Sequence, residues 1–74
     1  MQMSLTQIVG RRIRVARIER NVKQAELAEQ IKVAPKTLSS WETGSTDIRV
    51  HSLEHIAKVL EKPVVYFLQP FDAN

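Results

Sequence analysis

His51, Glu54 and His55 carry the spacing in this 74-residue chain that comes nearest to a catalytic signature. They form the H-x-x-E-H pattern of some zinc proteases, in which two histidines four apart on a helix reach one metal ion. That chemistry also needs a third ligand from a distant part of the chain, a substrate cleft and a far larger scaffold. Leu53 and Ile56 claim the opposite face of the same helix for the core, which leaves the histidines at the surface. The run is therefore read as chance. The chain has no cysteine, which excludes a thiol nucleophile and disulfides and suits a reducing, cytoplasmic setting. It has no glycine-rich phosphate loop and no paired nucleophile and base. No enzyme activity, catalytic residue, metal or cofactor is expected.

The remaining chemistry is charge. Eleven Lys and Arg against eight Asp and Glu give a net +3. Residues 1–37 hold eight basic side chains (Arg11, Arg12, Arg14, Arg17, Arg20, Lys23, Lys32, Lys36) against three acids, a balance of +5. Residues 38–74 hold three against five, a balance of −2. So uneven a distribution favours a polyanionic partner, although an arginine-rich helix face can also be merely solvated. A hydrophobic fraction of 43% with 26% charge is that of a globular chain. At this length it forms one small domain, able to bury about 60% of its unfolded surface. The longest apolar run, Val64 to Leu68, is too short to span a bilayer, and nothing at the start reads as a signal peptide.

The segment from Gln24 to Trp41 must position that charge. Leu27, Ala28 and Ile31 follow helical spacing, as do Leu38 and Trp41, and only a few residues separate the two sets. Pro35 suits the first turn of a new helix, where its missing N–H costs nothing. Two helices joined so tightly cross steeply, which is the helix-turn-helix design whose second helix enters the DNA major groove. Around it the pattern predicts a first helix from Ser4 to about Arg20 with Leu5, Val9, Ile13 and Ala16 inward, and Ser4 or Thr6 as its cap. Asn21 ends it. Helices follow at Lys23–Ile31 and Pro35–Thr43, with Gly44 as a C-terminal cap. A polar loop leads to a fourth helix at Val50–Leu60, carrying Val50, Leu53, Ile56, Ala57 and Leu60. A short fifth helix begins at Pro63 and runs through Leu68, and residues 69–74 form a tail broken by Pro70.

From Gly10 to Leu68 the chain resembles the Cro/repressor (XRE) family of helix-turn-helix domains, the lambda repressor-like type. The resemblance rests on Ile13 and Arg17, on Gln24, Glu26, Leu27, Ala28 and Ile31, and on Val33 in the turn. It continues through Thr37, Leu38, Trp41, Glu42 and Gly44, then Val50, Leu53, Ile56, Ala57, Leu60, Phe67 and Leu68. It implies an all-α, five-helix fold in one domain, residues 1–74. Two positions depart from the family pattern: Lys23 stands where a small capping Ser or Thr is usual, and Lys32 where the turn usually has Gly. A left-handed residue other than glycine costs roughly 1–2 kcal/mol.

The resemblance also implies roles. Gln24 hydrogen-bonds a DNA phosphate at a helix N-terminus. Lys23, Ser39, Thr43, Ser45, Thr46 and Arg49 are candidates for the sugar-phosphate backbone, with Asp47 an unwelcome anion among them. Arg17 and Glu42 form a structural salt bridge. With Leu38 and Trp41 inward, Pro35, Lys36, Thr37 and Ser40 are the candidates for base contact. Lys36 can donate to guanine O6 and N7, or else to a phosphate, while Thr37 and Pro35 can meet a thymine methyl. No Gln or Asn stands there for bidentate adenine readout.

A second stripe on the first helix, Ile8, Val15 and Ile18, either packs under Phe67, Phe71 and the tail or meets another protein; packing is the expectation. Val65, Tyr66 and Phe71 are the candidates for a dimer surface. The reading is a small dimeric repressor or controller acting on double-stranded DNA at a palindromic operator. The alternatives are an antitoxin-like protein-interaction role with secondary DNA binding, and the DNA-binding module of a longer regulator.

Overall fold

The computed structural model describes residues 3–71. Four α-helices run in order: α1 (Leu5–Glu19), α2 (Gln24–Gln30), α3 (Pro35–Glu42) and α4 (Val50–Leu60), followed by a 3-10 helix at Val64–Leu68. No strand occurs among the described residues. The fold is all-α as expected, but its fifth element is 3-10 rather than α. Pro63 and Pro70 confine the element to a short segment, a length at which 3-10 turns are frequent. The tighter pattern closes instead: Tyr66 N–H donates to Pro63 O at 3.0 Å and Gln69 N–H to Tyr66 O at 3.4 Å.

Every helix sends a side chain to one core, in which Ile13, Leu27, Leu38, Ile56, Leu60 and Phe67 are fully buried. Fully burying an aliphatic or phenyl side chain contributes about 1.5–3 kcal/mol, so these six anchor the mutual positions of all five elements. Trp41 is buried with them. Leu5 and Val50, expected inward, are instead 60% and 72% exposed. Each is the first residue of its helix. A helical side chain leans toward the N-terminus, and at the first position there is no preceding turn to cover it.

The first helix starts on a reciprocal cap, with Gln7 N–H donating to Ser4 Oγ at 3.2 Å and Ser4 N–H to Gln7 Oε1 at 2.9 Å. All four α-helices end alike. A left-handed residue closes each one (Asn21, Lys32 and Gly44 directly after the cap, Glu61 as the cap itself), and the next N–H reaches back five residues, as Val33 does to Ala28 O at 3.0 Å. This is the Schellman closure, which usually employs glycine. Only the third position needs one for space: a Cβ on Gly44 would lie 3.1 Å from the Gln7 Cα. Asn21, Lys32 and Glu61 are exposed, so their strain is conformational and not steric against neighbours.

Helices α1 and α3 approach closely at Gly10. A Cβ on the buried Gly10 would stand 2.0 Å from the Trp41 carbonyl oxygen. Glycine here lets the end of α3 lie directly on α1, which fixes the angle at which α3 leaves the core.

Candidate nucleic-acid interface

Lys23 precedes α2 in extended conformation, and its side chain makes no capping bond. The Glu26 carboxylate closes the helix start alone by accepting the Lys23 N–H at 2.8 Å. Placing a lysine where a capping hydroxyl is usual therefore leaves one helix N–H without that cap and adds an exposed ammonium beside it.

Next to it the Arg17 guanidinium grips Glu42 with two bonds, Nε to Oε2 at 2.7 Å and Nη2 to Oε1 at 3.0 Å. A third donates to Val22 O at 2.9 Å. The side chains are 11% and 3% exposed, so α1, the α1–α2 turn and the end of α3 are tied through a nearly dry, charge-assisted fork. Gln24 joins it, its Nε2 donating to Glu42 Oε1 at 3.2 Å. A carboxylate only accepts, so this bond orients the amide with nitrogen inward. One N–H of Nε2 and the Oε1 atom remain for a ligand. The resemblance pairs Arg17 with Glu42 but gives no sign of the link between Glu42 and Gln24, which lie 18 positions apart on different helices.

On α3, Leu38 and Trp41 are buried, Pro35 and Lys36 exposed, and Thr37, Ser39 and Ser40 half-buried. The helix thus presents its first turn outward while its other side is fixed in the core. The loop that follows is organised by its own polar groups. Thr43 Oγ1 lies 3.1 Å and 3.2 Å from the Ser39 and Ser40 carbonyls and 2.9 Å from Ser45 Oγ. The Ser45 and Thr46 amides both turn inward to Ser40 O, at 2.9 Å and 3.4 Å. Side chains rather than these two amides are what the loop offers to a phosphate. Asp47 accepts a hydrogen bond from the Thr6 hydroxyl, which holds its carboxylate against the start of α1. Arg49 stands exposed as the N-cap residue of α4.

The other candidates lie elsewhere. Val65 is 58% exposed. Tyr66 is half-buried, with Arg12 at 5.1 Å and Lys62 at 4.7 Å from its ring and Phe67 meeting it edge-on. Phe71 stacks under the Arg12 guanidinium at 3.9 Å, while Arg12 donates to Gln69 O at 2.9 Å and Pro70 O at 3.0 Å. Of the second stripe, Ile8 and Val15 are half-buried and Ile18 is exposed; Phe71 meets arginines, and Phe67 lies wholly in the core. His51 and His55 are both exposed on α4, and no three His, Cys, Asp or Glu side chains among the described residues are grouped to hold a metal ion. No helix is long and apolar enough to cross a membrane among the described residues.

Comparison with known proteins adds the following. A family model described as helix-turn-helix matches residues 13–67. Among solved structures, the clp gene regulator ClgR from Corynebacterium glutamicum is 28% identical, with a TM-score of 0.87 over 92% of this chain and 72% of that one. SinR, a master regulator for biofilm formation solved in complex with DNA, is 35% identical, with a TM-score of 0.77 over 82% of this chain and 98% of its own. Hydroxypropylphosphonic acid epoxidase from S. wedmorenis shares the fold at 22% identity and a TM-score of 0.81, but the match spans only 35% of that enzyme. No curated protein sequence matches.

Proposed function

The chain belongs to the helix-turn-helix family, of Cro/repressor type, and we propose that it binds specific double-stranded DNA as a homodimer and regulates transcription. The observation that carries this reading is the division of α3: Leu38 and Trp41 lock it into the core while Pro35 and Lys36 stand exposed on its first turn. A helix so held can enter a major groove, about 12 Å wide, without moving. Lys36 donates to guanine, Pro35 and the Thr37 methyl meet thymine methyls, and Ser40 reaches the adjoining base edge. Gln24, aimed by Glu42, donates its remaining N–H to a phosphate. Lys23, Ser39, Thr43, Ser45, Thr46 and Arg49 follow the backbone on either side. The setting is cytoplasmic, and the function is binding without catalysis.

A dimer follows from the arithmetic of recognition. Four base-contacting side chains specify a handful of base pairs at about 1–3 kcal/mol each, too little against 10⁶ or more competing genomic sites. Two copies across a palindrome double the read sequence, with half-sites about one helical turn apart. Tyr66 and Phe71 are engaged with Arg12, so of these three residues Val65 suits pairing best. It shares a face with Leu68, three residues on in the 3-10 helix, and Leu68, Leu5 and Val50 border one apolar recess of about 200 Å³. Sites selected from random duplex DNA, followed by sedimentation of the complex, test the proposal. Two chains on one palindromic site are expected; one chain on an asymmetric site contradicts it.

A further inference from the structure

Helix α1 and its C-cap residue together carry five arginines, and their surroundings differ. Arg17 is bound to Glu42, Arg20 to Glu61 at 2.6 Å, and Arg12 to the carbonyls of Gln69 and Pro70. Arg11 lies over the Phe71 ring at 5.2 Å, which leaves its N–H groups undirected. Arg14 is exposed and makes no ion pair or hydrogen bond among the described residues. These last two flank a groove of about 530 Å³ whose far wall is Glu42 and Thr43. Gln7, seven residues before Arg14 and so on the same line of the helix, lines the groove as well and packs beneath Gly44. The edge of α1 from Gln7 to Arg14 thus runs alongside the start of the loop that follows α3.

We infer that Arg14, with Arg11 one turn behind it, binds a backbone phosphate flanking the site read by α3, extending the DNA-binding track from the helix-turn-helix onto α1. This rests on the DNA-binding reading above, since Thr43 is the point at which that reading puts the sugar-phosphate backbone. Glu42, the acidic side chain in the groove, is already neutralised by Arg17, so nothing there opposes a second anion. A guanidinium without an internal acceptor at that edge is matched to phosphate oxygens in charge and in its planar fork of donors. The stems of the two arginines can lie along Val15 and Ile18 while their heads meet the anion.

The test is the salt dependence of DNA affinity for the intact protein and for Arg14→Gln, Arg11→Gln and Arg20→Gln. One lost phosphate contact flattens the slope of log K against log salt by about 0.9. Arg14→Gln is expected to do so equally on selected and random duplexes, with an unchanged thermal midpoint, and Arg11→Gln to act in the same direction. Arg20→Gln removes the same charge from an existing ion pair and is expected to leave the slope alone. An unaltered slope in Arg14→Gln overturns the inference and leaves the groove to an acidic protein segment. An equal change in Arg20→Gln also overturns it, by showing an effect of net charge. Failure of the wild-type protein to bind any duplex sinks the DNA reading itself, whatever the variants do.

Discussion

The seam between α1 and α3 and the outward first turn of α3 are built on opposite terms. In the seam the groups engage one another: Gly10 admits the Trp41 carbonyl, and Glu42 accepts from both Arg17 and Gln24. On the outward turn Pro35 and Lys36 are exposed, and no hydrogen bond from the Lys36 side chain is formed among the described residues. The difference teaches where each property resides. The seam governs whether the domain folds and at what angle α3 stands; on the proposed reading, the turn governs what α3 recognises. Gln24 belongs to both, since its amide is fixed by the seam while one N–H and Oε1 remain for a ligand.

Substitutions that break the seam should therefore act on stability. Arg17→Ala strands the Glu42 carboxylate, 3% exposed, and is expected to cost about 3–5 kcal/mol, read by denaturant unfolding. Loss of DNA affinity at an unchanged thermal midpoint would make Arg17 a surface contact instead. Gly10→Ala drives a methyl group to within 2.0 Å of a backbone oxygen. The helices must part, at about 3 kcal/mol, the upper end of ordinary overpacking. Stability equal to wild type in Gly10→Ala would show that the two helices separate freely.

Much of this architecture was legible in the residues. The helix limits, the turn and the burial of Trp41 follow from apolar periodicity, Pro35 and Gly44, because those signals are local. The misses have physical causes. Leu5 and Val50 fit their stripes but sit at first positions that no preceding turn covers. The last element is 3-10, and apolar spacing does not distinguish so short a 3-10 turn from an α-helical one. Gly10 gives no local sign at all, since its reason lies 31 residues on, in the Trp41 carbonyl. The loop side chains were visible as candidates; the inward turn of the Ser45 and Thr46 amides belongs to the local closure of α3 at Gly44, whereas the hold of Thr6 on Asp47 arises only from tertiary structure.

A smaller effect sharpens the comparison from outside the seam. Lys32 keeps the left-handed turn between α2 and α3, at φ 60°, without glycine's freedom. Lys32→Gly is expected to gain about 1 kcal/mol, the left-handed cost less glycine's greater chain entropy, seen as a raised thermal midpoint. A lowered midpoint would show that the lysine stem contributes more to packing than its backbone costs.

The central claim, that the outward turn of α3 reads bases while Gln24 only positions, is tested most directly by measuring Lys36→Ala and Gln24→Ala on a selected site and on random duplex at one salt concentration. Lys36→Ala should lose about 1–3 kcal/mol on the selected site, with relaxed preference at one or two base pairs. Gln24→Ala should weaken both duplexes by the same factor. Equal losses on both duplexes for Lys36→Ala would contradict the claim and make Lys36 a phosphate contact.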